Sequence, residues 1–192
     1  QLAVTIERAK LMKMATRDSL TGLYNIGQFK LLAKAELATL VLRRNDRNMS
    51  ILMSDADNFK KTNDTYGHPT GDAVLRELSA VIKATCRALD VAARYGGEEF
   101  IVMLPGASEQ DAAKVADKIR LGLSQKVFKH EKGDFSTTIS IGVTQARPGD
   151  IDIEVLVARA DKALYEAKHT GKNKVVIYLD SFATQPTPAP PK

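Results

Sequence analysis

The feature that most constrains this chain is a pair of adjacent glycines, Gly96-Gly97, set between two short apolar runs, Val91 to Tyr95 and Glu98 to Leu104. Two strands joined by so short a glycine turn must lie side by side and antiparallel, because a parallel connection needs a crossover of about a dozen residues or more. An antiparallel sheet is therefore expected whatever else the chain builds. The turn also brings chemistry with it, since two acids, Glu98 and Glu99, follow the glycines directly.

The remaining periodicities supply the partners of that hairpin. A helix is predicted from about Gly27 to Arg44, with Phe29, Leu32, Ala33, Leu37, Leu40 and Val41 at helical spacing. Met49 to Met53 reads as a strand that ends at Ser54-Asp55. A helix follows Gly71-Asp72, with Leu75, Leu78, Ile82 and Leu89 on its core face, and another runs from about Glu109 to Leu123 through Ala112, Val115, Ala116 and Ile119. Short strands are expected around Val127 and at Thr137 to Thr144, then a helix from about Ile153 to His169 and a last strand from Lys174 to Tyr178. Hairpins and long helices without regular βαβ alternation define an α+β fold with a mostly antiparallel central sheet flanked by helices.

Three parts are expected along the chain. Residues 1–17, with four basic residues against Glu7, read as a helix, the end of a stalk from an upstream sensory domain that is missing from this chain. Residues 18–180 form the domain proper. From Ser181 the tail carries four prolines in its last seven residues and no hydrophobic period, the composition of a disordered terminus.

Composition narrows the function. The chain has 192 residues, 28 Lys and Arg against 23 Asp and Glu, and a net charge of +5. No apolar run approaches the ~18 residues of a membrane helix, so no membrane contact is expected. A single cysteine, Cys86, excludes an internal disulfide and points to a reducing cytoplasm. Without a dense Lys/Arg stripe, the modest basic excess suits phosphates better than nucleic acid.

The acids have a reason to be where they are. Asp55-Ala56-Asp57 stands where an apolar strand ends, a place from which a carboxylate can hold a cation against a ligand phosphate. Magnesium asks for one or two carboxylates, with phosphate and water oxygens for the rest. The glycine hairpin supplies a second acid, and Gly96 and Gly97 let its backbone approach a triphosphate closely.

Several segments resemble one family. Arg94-Tyr95-Gly96-Gly97-Glu98-Glu99-Phe100 resembles the signature of GGDEF-domain diguanylate cyclases in its Glu-for-Asp form. Asp18-Ser19-Leu20-Thr21-Gly22-Leu23 is similar to the family's opening motif. Asp55 to Lys60, Asn63 to His68 and Gly71-Asp72 are similar to its metal and guanine segment, and Ser140 to Val143 and Ala160 to Lys168 to its closing strand and helix. In order, these matches cover nearly the whole chain.

The resemblance implies a palm-like, ferredoxin-like βαββαβ-derived sheet and the condensation of two GTP into cyclic di-GMP with release of pyrophosphate. It implies that Asp55, Glu98 and the Ala56 carbonyl ligate Mg²⁺, with Mn²⁺ as the substitute, and that Glu98 or Glu99 accepts the proton of the attacking 3′-hydroxyl. Asn63 and Asp72 would read guanine, whose N1-H and N2-H₂ edge suits a carboxylate. Phe59, Lys60, Gly96 and Gly97 would line the substrate site, and Lys168 and Lys172 would meet the β- and γ-phosphates. Asp57 would support the turn rather than the metal. Arg87 and Asp90, spaced as Arg-x-x-Asp, would form an allosteric product site for cyclic di-GMP, and the active species would be a homodimer with one GTP per half-site. Two rivals remain open: a receptor for cyclic di-GMP without activity, and a palm-type cyclase of different base choice.

The chain departs from the family at Ile26, where an arginine usually follows the asparagine of the opening motif. It departs also at Ala56, usually a larger branched residue, and at Lys172, where arginine is frequent.

Overall fold

A computed structural model describes residues 7, 14–43 and 48–184. Five strands form one sheet in the order β2-β3-β1-β4-β5. In chain order the elements are α1 (Ile26–Arg43), β1 (Met49–Ala56), α2 (Phe59–Tyr66), α3 (His68–Thr85), β2 (Val91–Arg94), β3 (Glu99–Pro105), α4 (Glu109–Ser124), β4 (Ile139–Gln145), α5 (Ile153–His169) and β5 (Val175–Ile177). β1 is central and runs antiparallel to both β3 and β4, β2 pairs antiparallel with β3, and only β4–β5 is parallel. This is the mostly antiparallel α+β sheet expected, and β2-β3 is the hairpin that the glycine pair demands.

Side-chain alternation along the strands decides which residues face which helices. Met49, Ile51 and Met53 of β1 and Ile101 and Met103 of β3 bury one face against Phe29, Ala33 and Leu37 of α1 and Leu156, Ala160 and Leu164 of α5. Leu52, Val102, Leu104, Ile141 and Val143 bury the other against Leu75, Leu78 and Ile82 of α3 and Ala112, Ala116 and Ile119 of α4. Asp55 and Glu99 share the parity of the first set and stand opposite each other in the β1–β3 register. Both acids therefore project from the end of the sheet toward α5.

α5 lies unusually close to the sheet. A Cβ on Gly142 of β4 would come within 2.1 Å of the Ala160 carbonyl oxygen and 2.3 Å of the Leu164 nitrogen, so only glycine permits this contact. Asp152 caps the helix by accepting from the Glu154 amide, and Lys168 and His169 in its last turn suit the negative end of the helix dipole.

The structure corrects several sequence expectations. α2 is a helix that its sequence does not announce, because only Phe59 and Thr62 are buried along it. α3 starts at His68, with Pro69 in its first turn, and not after Asp72. Val41 is 48% exposed on the last turn of α1, and Leu89 is 80% exposed beyond the end of α3. The segment around Val127 contributes one isolated bridge, Phe128 to Phe135, in place of a strand. Residues Asp180–Thr184 form a short 3₁₀ turn. The expected stalk helix is described only at residues 7 and 14–16, which are helical, and residues 185–192 of the tail lie outside the described residues. Among the described residues no helix is long and apolar enough to cross a membrane.

Candidate active site

Asp55, at the end of the central strand, is 5% exposed. Its Oδ2 meets the Lys168 ammonium of α5 at 2.6 Å. Burial nevertheless raises the Asp55 carboxyl above its ordinary range, with Lys168 opposing the shift. Burial also raises Glu98 and Glu99, the Asp55 charge adds to both shifts, and Lys168 again opposes. The hairpin closes when the Glu99 carbonyl accepts from the Tyr95 and Gly96 amides, and the Ala56 amide donates to the Glu98 carbonyl at 3.3 Å. A Cβ on Gly96 would fall 2.5 Å from Glu99 Oε2, so the absence of a side chain there makes room for the carboxylate. The Asp55 charge thus raises the affinity of both glutamates for protons, while Asp57 does the same to Asp55, all opposed by one lysine.

The donor set is all oxygen, which suits a hard cation such as Mg²⁺ or Mn²⁺. Among the described residues no three side chains of the His, Cys, Asp and Glu kind gather closely enough to hold a metal alone. Magnesium does not need that, since phosphate and water complete its shell. The Lys168 ammonium on Asp55 shows that a cation fits there.

Asp57 holds the turn, the role the resemblance implies for it. It accepts from the Thr138 hydroxyl at 2.6 Å, the Ser140 hydroxyl at 2.7 Å and the Asn173 amide at 3.0 Å, tying the β1–α2 turn to β4 and to the α5–β5 turn. Left-handed backbone marks the same place: Asn58 at φ 56°, Lys172 at φ 60° and Asn173 at φ 45°. Lys172 Nζ donates to Asn58 Oδ1 at 2.5 Å. Lys168, Lys172 and the N-terminus of α2, whose Asn58 makes no side-chain cap, therefore surround one spot beside the acids.

Asn63 and Asp72 are brought onto adjacent helices. Asn63 Oδ1 is buried with no hydrogen-bond partner, and a Cβ on Gly71 would lie 1.9 Å from it. Gly71 thus makes room for the Asn63 amide, and for the Phe59 ring at 3.0 Å. Neither residue caps a helix: Asn63 lies within α2, and Asp72 lies a full turn inside α3, where Arg76 approaches it at 3.9 Å.

Other expected site residues are placed differently. The Phe59 ring is in the core, 8% exposed, which leaves its backbone for a ligand. Lys60 is exposed on the first turn of α2, and the ammonium that meets Asp55 is that of Lys168. Arg87 is exposed, while Asp90 Oδ2 accepts from the Arg87 amide at 2.6 Å, closing a turn rather than pairing with the guanidinium. Burial raises the Cys86 thiol to about 12, as fits a residue packed against the core.

Two contributors escaped the sequence reading. Asp161 stands two turns before Lys168 on α5; burial raises its carboxyl, Lys168 opposes, and its charge reaches Glu99. The i, i+7 spacing was the available signal. Arg94, the first residue of the glycine signature, is the second: its guanidinium meets Asp18 of the opening loop at 3.3 Å.

Comparison with known proteins decides the family. The family described as diguanylate cyclase, GGDEF domain, matches residues 15–174. The chain belongs to the GGDEF family. This GGDEF domain is 42% identical over 176 residues to diguanylate cyclase A of Treponema denticola, covering 91% of the chain and 47% of that protein. It is 42% identical to the response regulator PleD of Caulobacter vibrioides, over 86% of the chain and 36% of the relative. The chain thus spans less than half the length of these curated relatives. Among solved structures, the GGDEF domain of DgcB from Caulobacter crescentus, in complex with c-di-GMP, superposes with a TM-score of 0.81 at 34% identity, covering 85% of this chain and 95% of that one. The palm-like α+β fold is shared.

Proposed function

We propose that this GGDEF domain is a diguanylate cyclase, which condenses two GTP into cyclic di-GMP and releases pyrophosphate. The observation that carries the reading is that the buried Asp55 carboxylate, bonded to Lys168, acts on both Glu98 and Glu99 of the glycine hairpin beside a cationic turn. A relative at 42% identity carries the name diguanylate cyclase.

The residues divide the work as follows. Asp55 and Glu98, with the Ala56 carbonyl, would hold Mg²⁺, or Mn²⁺ in its place. Metal bound there supplies positive charge to the triphosphate and polarises the attacking hydroxyl. Lys168 would leave Asp55 for the β- and γ-phosphates, where Lys172 and the α2 amides join it as point charges and donors. The half-buried Asn63 amide, whose Oδ1 has no hydrogen-bond partner, and the Asp72 carboxylate would complement guanine, one accepting or donating at O6 and N2, the other accepting from N1-H and N2-H₂. Glu98 or Glu99, each with its carboxyl raised by burial and the Asp55 charge, would accept the proton of the 3′-hydroxyl. Each domain holds one GTP, so two must face each other, and a homodimer follows from the product's symmetry. Cyclic di-GMP would bind at the exposed Arg87 and at Asp90 and slow turnover.

The test is pyrophosphate release from GTP with Mg²⁺, comparing the wild type with Asp55→Asn. The amide keeps the shape of the ligand and loses its charge, so the metal titration should shift to much higher concentration. An unchanged titration removes Asp55 from the site. Retained function as a receptor alone would show as cyclic di-GMP binding without any pyrophosphate.

A further inference from the structure

The opening motif and the catalytic hairpin are joined by one guanidinium. Arg94, the last residue of β2, donates from Nε to the Gly96 carbonyl at 3.1 Å and to the Gly97 carbonyl at 3.2 Å, and from Nη2 to the Gly97 carbonyl at 2.7 Å. Its Nη1 reaches Asp18, 3.4 Å from Oδ1 and 3.3 Å from Oδ2. Both side chains are only 21% exposed. We propose that Arg94 is a positioning residue for Glu98 and Glu99, and that Asp18 holds Arg94 in place, so that the segment entering the domain sets the geometry of the catalytic hairpin.

The need for such a clamp follows from the glycines. Gly96 and Gly97 give the turn its close approach to a ligand, but glycine backbone is the least restrained of all, and nothing lies within 4 Å of where a Cβ on Gly97 would be. The direction in which Glu98 and Glu99 leave the turn depends on how those two peptide units are oriented. Arg94 fixes both through their carbonyl oxygens, and a planar fork can hold two carbonyls and a carboxylate together where a lysine ammonium, with rotating donors on a flexible stem, cannot.

Asp18 is built to keep the fork aimed. Its Oδ1 accepts from the Thr21 amide at 2.8 Å and the Thr21 hydroxyl at 2.7 Å. Burial alone would raise the Asp18 carboxyl, but Thr21 and Arg94 together hold it below its ordinary range. The loop is anchored in turn, since Lys83 of α3 donates to the Thr21 carbonyl at 2.7 Å. The Tyr24 amide donates to the Ala92 carbonyl and the Arg94 amide to the Tyr24 carbonyl, which lays the segment along the free edge of β2. Residues 14–16 end in a helix immediately before this loop, and the Asn25 side chain and amide bond back to the Ala15 and Thr16 carbonyls. A displacement of that helix thus has a short mechanical route to the acids: loop, Asp18, Arg94, glycine carbonyls.

The inference rests on Glu98 and Glu99 as the catalytic acids, and its test keeps the two claims apart. Amide hydrogen exchange across residues 95–99 is compared in the wild type, Arg94→Lys, Asp18→Asn and the double variant, alongside kcat and KM for GTP. The expected result is faster exchange in the hairpin for each variant, unaltered exchange in β1 and β4, and a kcat lowered about 10- to 100-fold while KM moves less than about twofold. The double variant should be no worse than Arg94→Lys, because Asp18 acts only through Arg94. Should Arg94→Lys fail to fold, Asp18→Asn carries the test, as it leaves the fork in place. A raised KM with unchanged kcat, hairpin exchange like that of the wild type, or additive losses in the double variant would each overturn the proposal. If the wild type makes no cyclic di-GMP yet the exchange pattern holds, the functional reading falls and the clamp stands.

Discussion

A carboxylate at the end of a buried strand is costly unless something positive meets it, and Asp55 is met by Lys168. Among the described residues Glu99 meets no comparable hydrogen-bonded cation, and its raised carboxyl records burial first and the Asp55 charge second. Glu99→Gln should therefore raise the thermal midpoint in the presence of a chelator, since it removes a repelling charge, and lower turnover about 10²- to 10⁴-fold. Calorimetry and the pyrophosphate assay check both halves; a lowered midpoint would show that Glu99 stabilises the fold. Gly71 is the other residue whose role is one of space. Gly71→Ala brings a Cβ to 1.9 Å from Asn63 Oδ1, so the amide must move, and KM for GTP should rise about tenfold with the fold retained. An unchanged KM would take Asn63 out of the substrate site.

Among the elements, α5 does the most to assemble the site, because it carries Asp161 and Lys168 over the strand ends. Its approach is set at Gly142, where a Cβ would meet backbone atoms that cannot rotate away. Gly142→Ala should cost about 3 kcal/mol and reduce metal-dependent turnover as well; urea denaturation measures the first, and a loss below about 1 kcal/mol would mean that the helix can shift at little cost. The sequence made β1, the β2-β3 hairpin, α4 and α5 legible to within a few residues, since each has a clear period and punctuation. It hid α2, whose segment of Lys, Thr, Asn and Asp buries only two side chains, and it disguised the start of α3, where Gly67, His68 and Pro69 read as a turn although proline suits a first helical turn. Asp55, Glu98 and Glu99 could be singled out from strand ends and glycines. The pairing of Lys168 with Asp55, and of Arg94 with Asp18, could not, because each joins residues distant in sequence that only the closed sheet brings together.

For the whole molecule, one domain offers one set of acids and one cationic turn, whereas the proposed product is built from two nucleotides. The initial rate per domain should rise with protein concentration in the range where two domains associate. Added cyclic di-GMP should depress that rate in the wild type and leave Arg87→Ala near its uninhibited value, since Arg87 stands exposed in the turn after α3. A rate per domain independent of concentration, in a protein shown to be monomeric by sedimentation, would contradict the dimer; equal inhibition of both proteins would return Arg87 and Asp90 to the role of a surface turn.

The central claim, that the acids at the end of β1 and on the glycine hairpin join two GTP molecules, is tested most directly by what leaves the reaction. The wild type is incubated with GTP and Mg²⁺, and the nucleotides are separated by chromatography and weighed by mass spectrometry, with Glu98→Gln treated in parallel. Cyclic di-GMP should accumulate with two pyrophosphates for each molecule formed, and Glu98→Gln should leave GTP unconsumed. GTP that is untouched by the wild type, or converted only to GDP or GMP, would contradict the claim.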